Sequence, residues 1–592
     1  MTLLWMVFAL AQDVTRAPGH WPQWRGPERD AVSTDTGLLP EWPAGGPPLL
    51  WMAEDLGEGV SNVAVAGGLI FLIGTWEGRE YATALDGAGK RIWCVPIGGA
   101  TGEHPAMRYA TVRTPTVDND RLYVLSGEGA LHCLRSTDGK VLWKTTYVSL
   151  GGERFAWGWG DFPLVDGNLL ICVPGGPRGT VAALNKMTGK VVWQCALNDR
   201  VHAAIVPAEI GNIRQYVVFG YERVSGVVAR TGQLAWQAER KGQTAVISTP
   251  IVHDGFVVVS SGFAVGTNAF KVEGEAGRFK VAPVWSGHQL DVQSGGMARV
   301  GDHLYALVDQ GSLKCVELKT GSEVWQNRSV GKGSVLVADG RLICRGEVGS
   351  VALVDPSVEG YREKGRFAGP TRGYDSARSQ PVVAGGRLYL RAEGTLYCYD
   401  LRGPGFKEPP AVWTIPASLP SRPPPSAPPA PEPFAVFVPT PQDVVERMLE
   451  LAGVTSDDAV YDLGSGDGRI LIAAAKKYGC KAVGYEIQPI LVGQSRAKVR
   501  EAGLVDQVTI EEKDLFKADL SAATVVTLYL GERNNAKLLP QLSKLKAGAR
   551  IVSHMHLLGK DGPKPQKTVT MVSKEDGSEH AIHLWTAPLA EK

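Results

Sequence analysis

Tryptophan returns through the first part of this chain with a regularity that a single hydrophobic core does not need. Trp51, Trp93, Trp143, Trp193, Trp236, Trp285 and Trp325 are separated by 42, 50, 50, 43, 49 and 40 residues. Most of them close the same phrase: an apolar strand, a glycine turn, and a short strand ending in the ring. Copies run from Ala84-Leu85-Asp86 through Gly89-Lys90 to Trp93, and as Asp138-Gly139-Lys140-Val141-Leu142-Trp143 and Thr188-Gly189-Lys190-Val191-Val192-Trp193. Two more are Thr231-Gly232-Gln233-Leu234-Ala235-Trp236 and Thr320-Gly321-Ser322-Glu323-Val324-Trp325, and degenerate ones end at Trp285 and near Phe367. A repeat of roughly 40–50 residues made of several short strands cannot bury the faces of its own sheet, so its units stack around an axis as a β-propeller. The glycine turn closes a hairpin, and the Trp is predicted to dock between blades. Eight units fit between residues 20 and 405. The last, Arg387–Asp400, lacks a certain final strand. Pro48-Leu49-Leu50-Trp51 can supply it and close the ring, and Ala411-Val412-Trp413 competes for the place. Most of the 71 glycines lie before residue 410, as turn-rich β architecture requires.

Residues 406–433 change character. The proline-rich run Pro409–Pro433 predicts an extended polyproline-II linker at about 3 Å per residue. Beyond it, residues 434–592 alternate strand and helix, which implies a parallel sheet with helices on both faces. Helices are predicted over Asp443–Ala452, Arg469–Lys477 and Asn535–Leu545. Strands are predicted over Ala459–Leu463, Lys481–Glu486, Val508–Phe516, Ala523–Leu530 and Arg550–His554. Thr568–Lys574 and His580–Pro588 form a closing antiparallel pair. The expected fold class is therefore multidomain: an all-β eight-bladed propeller followed by an α/β Rossmann-like domain.

The densest chemistry lies in Tyr461-Asp462-Leu463-Gly464-Ser465-Gly466-Asp467-Gly468-Arg469, between a buried strand and a helix N-terminus. Glycines let the backbone approach a ligand, and free N–H groups at the helix start point toward it. A dinucleotide fingerprint needs glycine where Arg469 stands. About twenty residues on, the second strand ends in Glu486, an acid that can accept from both hydroxyls of a ribose. The third predicted strand carries Asp514, and the fourth ends in Tyr529-Leu530.

Asp-x-Gly-x-Gly-x-Gly with these acids resembles the first motifs of class I S-adenosylmethionine-dependent methyltransferases. The resemblance implies S-adenosylmethionine as cofactor, with Asp462 under its amino-acid end, the Gly464–Gly466 turn passing beneath it, Glu486 on the ribose and Asp514 at the adenine amino group. Ser465, Leu515 and Thr440 complete the candidate cofactor set. Val438-Pro439-Thr440-Pro441, Gly484-Tyr485-Glu486, Thr527-Leu528-Tyr529-Leu530, Asn535, Lys537-Leu538 and Ser553-His554 narrow the likeness to the small lysine methyltransferases that act on the ATP-synthase c-subunit, and their bacterial relatives. That implies a protein lysine as methyl acceptor and Tyr529 at the transfer site, walling the amine channel or packing at the strand end. Met555-His556-Leu557 departs from the family, whose members carry aspartates and an aromatic there. The Trp-ended repeat resembles the pyrroloquinoline-quinone-like propellers of quinoprotein dehydrogenases and outer-membrane assembly lipoproteins. The dehydrogenases' adjacent-cysteine pair is missing, so a scaffolding or binding propeller is expected. An exported, non-enzymatic interaction protein is the rival reading, and a quinoprotein oxidoreductase the next.

Charges balance at +1, which suggests no basic face for nucleic acid and no polybasic membrane patch. The apolar run Met1–Ala11 is too short to span a bilayer and reads as a secretory signal without a basic start, predicting export to the periplasm or envelope if it is used. No other run reaches spanning length. The eight cysteines are scattered, most in strand-like runs, and read as buried small hydrophobes. The loop Arg154-Phe155-Ala156-Trp157-Gly158-Trp159-Gly160-Asp161-Phe162 offers aromatics either to a peptide or sugar partner on the propeller face or to blade packing. His554 and His556 alternate along a strand, but no third ligand is in view, so no metal site is predicted.

Overall fold

The structure, a computed structural model, describes residues 18–408 and 440–589, apart from 77, 100–112, 155–157, 177–178, 244–245, 276, 294, 372–377, 488, 560–561 and 576–578. The apolar run Met1–Ala11, the tract from 409 to 433 with Ala411–Trp413, and the motif residues Val438 and Pro439 lie outside the described residues. The chain divides into two compact units, Met1–Ala430 and Pro431–Lys592.

The first unit holds eight four-stranded sheets. Seven are consecutive in sequence. The eighth takes its outermost strand from Leu49–Ala53, which pairs antiparallel with Thr395–Asp400, Trp51 opposite Cys398. The ring is thus closed by the segment around Trp51. The repeat's logic is visible at the turns. Gly89, Gly139, Gly189, Gly232 and Gly321 are all left-handed, and a Cβ on any of them would lie within 2.9 Å of a Trp ring of the preceding blade. Each such ring also donates its indole N–H to a carbonyl of the next blade: Trp51 to Gly87, Trp93 to Ser136, Trp143 to Lys186, Trp193 to Ala229 and Trp285 to Leu318, at 2.9–3.1 Å. A large ring seated on a glycine and tied by its N–H buries apolar area without orphaning a donor. Trp236 departs from this. It donates to Gln215 at 2.8 Å, and the next blade, built on the long hairpin Gly266–Gly287, lacks the Thr-Gly-Lys turn.

The first strand of each blade faces the propeller axis, and one short segment reaches all eight. Trp21 pairs with Val65 of the first blade, and the Pro22 carbonyl accepts from Val117 of the second. Arg29 donates to Phe162, Pro163 and Ile205 at 2.6–3.0 Å, ahead of the third and fourth blades. Trp24 donates to Thr249 before the fifth, and Arg25 to the Gly295 carbonyl before the sixth. Val32 bridges to Val337, and Ser33 donates to the Val383 carbonyl. Residues 21–33 therefore lie against the inner side of all eight blades.

For Trp159 and Phe162 of the aromatic loop, the structure decides between the two alternatives in favour of blade packing. Phe162 is buried and stacks on Trp24 at 4.1 Å, and Trp159 is buried with its N–H on the Pro174 carbonyl. Both pack the ring and present nothing to a partner. Phe155 and Trp157 lie outside the described residues.

The second unit is a seven-stranded sheet. Its strands are β1 (Ala459–Leu463), β2 (Lys481–Glu486), β3 (Val508–Glu512), β4 (Val525–Leu528), β5 (Arg550–His554), β6 (Lys567–Val572) and β7 (Glu579–Thr586). The order is β3-β2-β1-β4-β5-β7-β6, with β1 to β5 parallel and β7 antiparallel to both neighbours. Helices α1 (Gln442–Leu451), α2 (Arg469–Tyr478) and α3 (Pro489–Glu501) flank it, and α4 (Glu532–Lys537) and α5 (Leu539–Leu542) follow β4. On α2, Ile470, Leu471, Ala474 and Ala475 are buried, at the i, i+1, i+4, i+5 spacing of one helical face, and Gly479 ends the helix in a left-handed cap. Full burial of each such Leu or Ile contributes about 1.5–3 kcal/mol. The single helix expected over Asn535–Leu545 is two short ones, because Pro540 has no N–H for the ladder and sits instead in the first turn of α5. The third strand is also shorter than expected: it stops at Glu512, and Leu515–Lys517 form a 3₁₀ turn. No helix among the described residues is long and apolar enough to cross a membrane.

Candidate functional site

Strand order reverses between β1 and β4, and such switch points open a crevice at the carboxyl ends of the strands. β1 delivers Asp462 there, in register with Thr527 of β4, whose hydroxyl donates to the carboxylate at 2.8 Å. Burial with no cation alongside pushes the Asp462 carboxyl up to about 7. The Thr527 hydrogen bond opposes the shift, and repulsion from Glu486 and Asp467 adds to it.

The glycine turn follows. Gly464 and Ser465 both donate their N–H to the Tyr485 carbonyl, which ties the turn to the end of β2. Gly464 is left-handed, and a Cβ there would stand 2.6 Å from Leu530. Gly484 serves differently: a Cβ on it would lie 2.6 Å from the Ser465 hydroxyl. That hydroxyl is buried against Gly484 and makes no hydrogen bond. Glu486 accepts from the Gly466 N–H and from its own neighbour Ile487, both at 2.9 Å. Asp462, Gly464, Ser465, Gly466 and Glu486 thus form one cluster. Beneath it Asp467 is gripped by Arg469 at 2.9 Å and Lys498 at 2.7 Å. Burial pushes its carboxyl up, but these partners outweigh burial and hold it below the usual range.

Leu515 comes within reach of this turn, its Cδ2 3.8 Å from where a Cβ on Gly464 would be. Asp514 caps the 3₁₀ turn that carries Leu515, accepting from the Phe516 N–H at 3.0 Å. Thr440 sits elsewhere, ahead of α1. Its hydroxyl meets Nδ1 of His554 at 3.2 Å, and its carbonyl accepts from Arg469 at 2.8 Å. Tyr529, half-buried just past β4, lays its ring 4.1 Å from that of His554 and 5.9 Å from that of His556.

The histidine arrangement differs from the alternation expected along a strand. His554 ends β5, and its Nε2 meets Nδ1 of His580, on β7, at 2.8 Å. Both ring nitrogens are therefore occupied by protein. His556 lies past the strand, beyond a left-handed Met555. Among the described residues no three His, Cys, Asp or Glu side chains gather as a metal site.

Sequence reading missed Thr527 as partner of Asp462, the Arg469–Asp467–Lys498 group, and His580. Thr527 carried a signal: a lone hydroxyl in an apolar strand, opposite a buried acid. His580 carried none, because its partner lies 26 residues away on a strand paired antiparallel.

Comparison with known proteins agrees with this division. Residues 462–564 match the ANTKMT methyltransferase domain, and residues 78–286 and 273–363 match the outer membrane protein assembly factor BamB family. A protein-lysine N-methyltransferase of Saccharolobus islandicus is 42% identical over 156 residues, 26% of this chain and 94% of that protein. The mouse lysine N-methyltransferase of the ATP synthase c-subunit is 36% identical over 122 residues, 20% of this chain, which spans about half (47%) of the mouse protein's length. A solved RNA methyltransferase of Salinibacter ruber, bound to S-adenosyl-L-homocysteine, is 47% identical over 26% of this chain and 97% of its own, with a TM-score of 0.24. Through its C-terminal domain, the chain belongs to the protein-lysine N-methyltransferase family.

Proposed function

We propose that the protein transfers the methyl group of S-adenosylmethionine to the side-chain amine of a protein lysine, with the propeller serving as a binding or scaffolding module. The observation that carries the cofactor half is the cluster around the glycine turn: the unpartnered hydroxyl of Ser465, the buried acid Asp462 and Glu486 converge where a side chain on Gly464 would collide with Leu530. When bound, the cofactor supplies a methyl group already activated on a sulfonium. Asp462 ionises toward its cationic end. Ser465 and the N-terminus of α2 receive the carboxylate, and Glu486 faces the ribose. Leu515 packs beside the turn, and Asp514 holds that side chain in place through its cap.

The remaining task is to align the acceptor amine and exclude water. Tyr529 stands at the carboxyl end of β4, beside that crevice, and its ring supports a wall for the amine channel. The lysine acceptor rests on the archaeal likeness across 94% of that protein's length.

Isothermal titration of the full chain with S-adenosylmethionine tests the cofactor site. Saturable binding that Glu486→Ala weakens by at least about tenfold is expected. Unaffected binding would sink the assignment. Labelled methyl recovered as methyl-lysine from bacterial protein extract would support the acceptor, and label in RNA instead would overturn it.

A further inference from the structure

Three left-handed glycines, Gly464, Gly466 and Gly468, make the cradle turn, and glycine by itself leaves many backbone shapes open. A charged clamp on the buried Asp467 narrows them. Arg469, the first residue of α2, lays its guanidinium on the Asp467 carboxylate as a fork, Nε to one oxygen and Nη2 to the other, both at 2.9 Å. Its Nη1 donates to the Thr440 carbonyl at 2.8 Å, so one side chain ties together the turn, the start of α2 and the segment ahead of α1. The third contact comes from α3. Lys498 reaches the same carboxylate at 2.7 Å, and one turn earlier Ser495 packs on Gly468, where an added Cβ would stand 3.1 Å from the Ser495 Cβ. Ser495 and Lys498 are three residues apart and share a face of the helix. α3 follows β2, whose last residue, Glu486, accepts from the Gly466 N–H. The clamp therefore joins the two halves of the cradle, the glycine turn and the end of β2.

Building on the cofactor site described above, we propose that Arg469 and Lys498 are positioning residues for S-adenosylmethionine: they hold the glycine turn and Glu486 at a fixed spacing, and they offset the charge of Asp467 near Asp462. The two cations divide the work. Arg469 sets shape, because a lysine in its place keeps the charge but cannot form a two-pronged fork and reach the Thr440 carbonyl as well. Lys498 sets charge, because it is half-exposed and makes a single contact with the turn. The groups that face Asp462 are Asp467 of the turn, Glu486 at the end of β2 and the Thr527 hydroxyl of β4. Both acids disfavour its ionised form, and Arg469 of α2 and Lys498 of α3 act on it through Asp467. With Lys498 gone, the charge of Asp467 is less offset, and Asp462 gives up its proton at higher pH.

The test titrates the full chain with S-adenosylmethionine by calorimetry between about pH 5.5 and 8.5, with denaturant unfolding measured on the same proteins. Lys498→Met should unfold like wild type. Its affinity should level off about half a pH unit higher, so that binding is about threefold weaker on the acid side. Arg469→Lys should bind about tenfold more weakly at every pH, with the levelling point of wild type. A Lys498→Met curve that levels off where wild type does overturns the proposal, whether or not stability falls with it. Arg469→Lys binding as tightly as wild type overturns it too. If Arg469→Lys does not fold, Asp467→Asn decides: a levelling point moved to lower pH supports the clamp, and an unmoved one overturns it. A wild type that binds no S-adenosylmethionine refutes the cofactor site itself, and the clamp with it.

Discussion

The propeller and the seven-stranded sheet each gather strands around a seam, and they treat the seam in opposite ways. Along the propeller's inner strands the chain lays its own residues: Trp21, Trp24, Arg25 and Arg29 bond to carbonyls and hydroxyls of successive blades, although Trp21 Nε1 and Arg25 Nε find no partner. Arg29 is wholly buried. Burial lowers its guanidinium's proton affinity to about 10, against attraction from Asp161 and Cys172, so it stays charged at neutral pH. At the sheet's switch point glycines let the turn and β2 pack closely against Leu530 and Leu471, the Ser465 hydroxyl finds no partner, and Asp462 is buried with acids rather than a cation among its influences.

This contrast breaks most sharply at Arg29. Arg29→Ala removes the donor to the buried Phe162 and Ile205 carbonyls, while Pro163 keeps the Thr116 hydroxyl, and should destabilise the propeller by about 3 kcal/mol or more. Denaturant unfolding, followed alongside calorimetric cofactor binding, should show the first change and not the second. Loss of both would mean the two units do not fold independently.

Gly464→Ala is the converse experiment. The left-handed backbone and the contact with Leu530 should lower S-adenosylmethionine affinity by about 10²-fold, with propeller stability unchanged.

Proton linkage sharpens the comparison further. Asp462 has a raised carboxyl, near 7, against about 4 in the unfolded chain. Between those values the folded state holds more protons than the unfolded one, so its contribution to stability falls as pH rises through that window. A cationic cofactor favours the ionised acid. Its affinity should therefore rise up to about tenfold per pH unit below 7 and level off above. Asp462→Asn should flatten the curve, and proton release should appear when titrations in buffers of different ionisation enthalpy are compared. The smallest effect belongs to Ser465→Ala: no measurable loss of stability, because the hydroxyl has no partner, and roughly fivefold weaker cofactor binding, about 1 kcal/mol. A matching loss of stability would show that the hydroxyl is satisfied internally after all.

The propeller was legible because its signal is local and repeated. A left-handed glycine turn and a Trp a few residues after it recur in most 40–50-residue units, so the phrase is read by its period even though each ring seats on the next blade's glycine. Asp462, Gly464 and Glu486 were legible for a related reason, since strand, turn and helix follow one another in the chain. The segment along the propeller's inner strands was not legible. His20–Pro27 reads as an unremarkable aromatic opening until eight inner strands are folded around it. The aromatic loop was left open between two alternatives for the same reason, its Trp159 and Phe162 meeting partners that periodicity does not name.

By itself, the sequence determined the number of blades, the proline-rich divide and the glycine cradle, because each is written in a short contiguous or regularly repeated phrase of the chain. Only the tertiary structure decided which segment closes the ring, what lies along its inner strands, and that a histidine of β7 meets the one ending β5. Those contacts join residues brought together by the packing of whole elements. Their free energy comes from burial shared across many strands, and no local spacing records it.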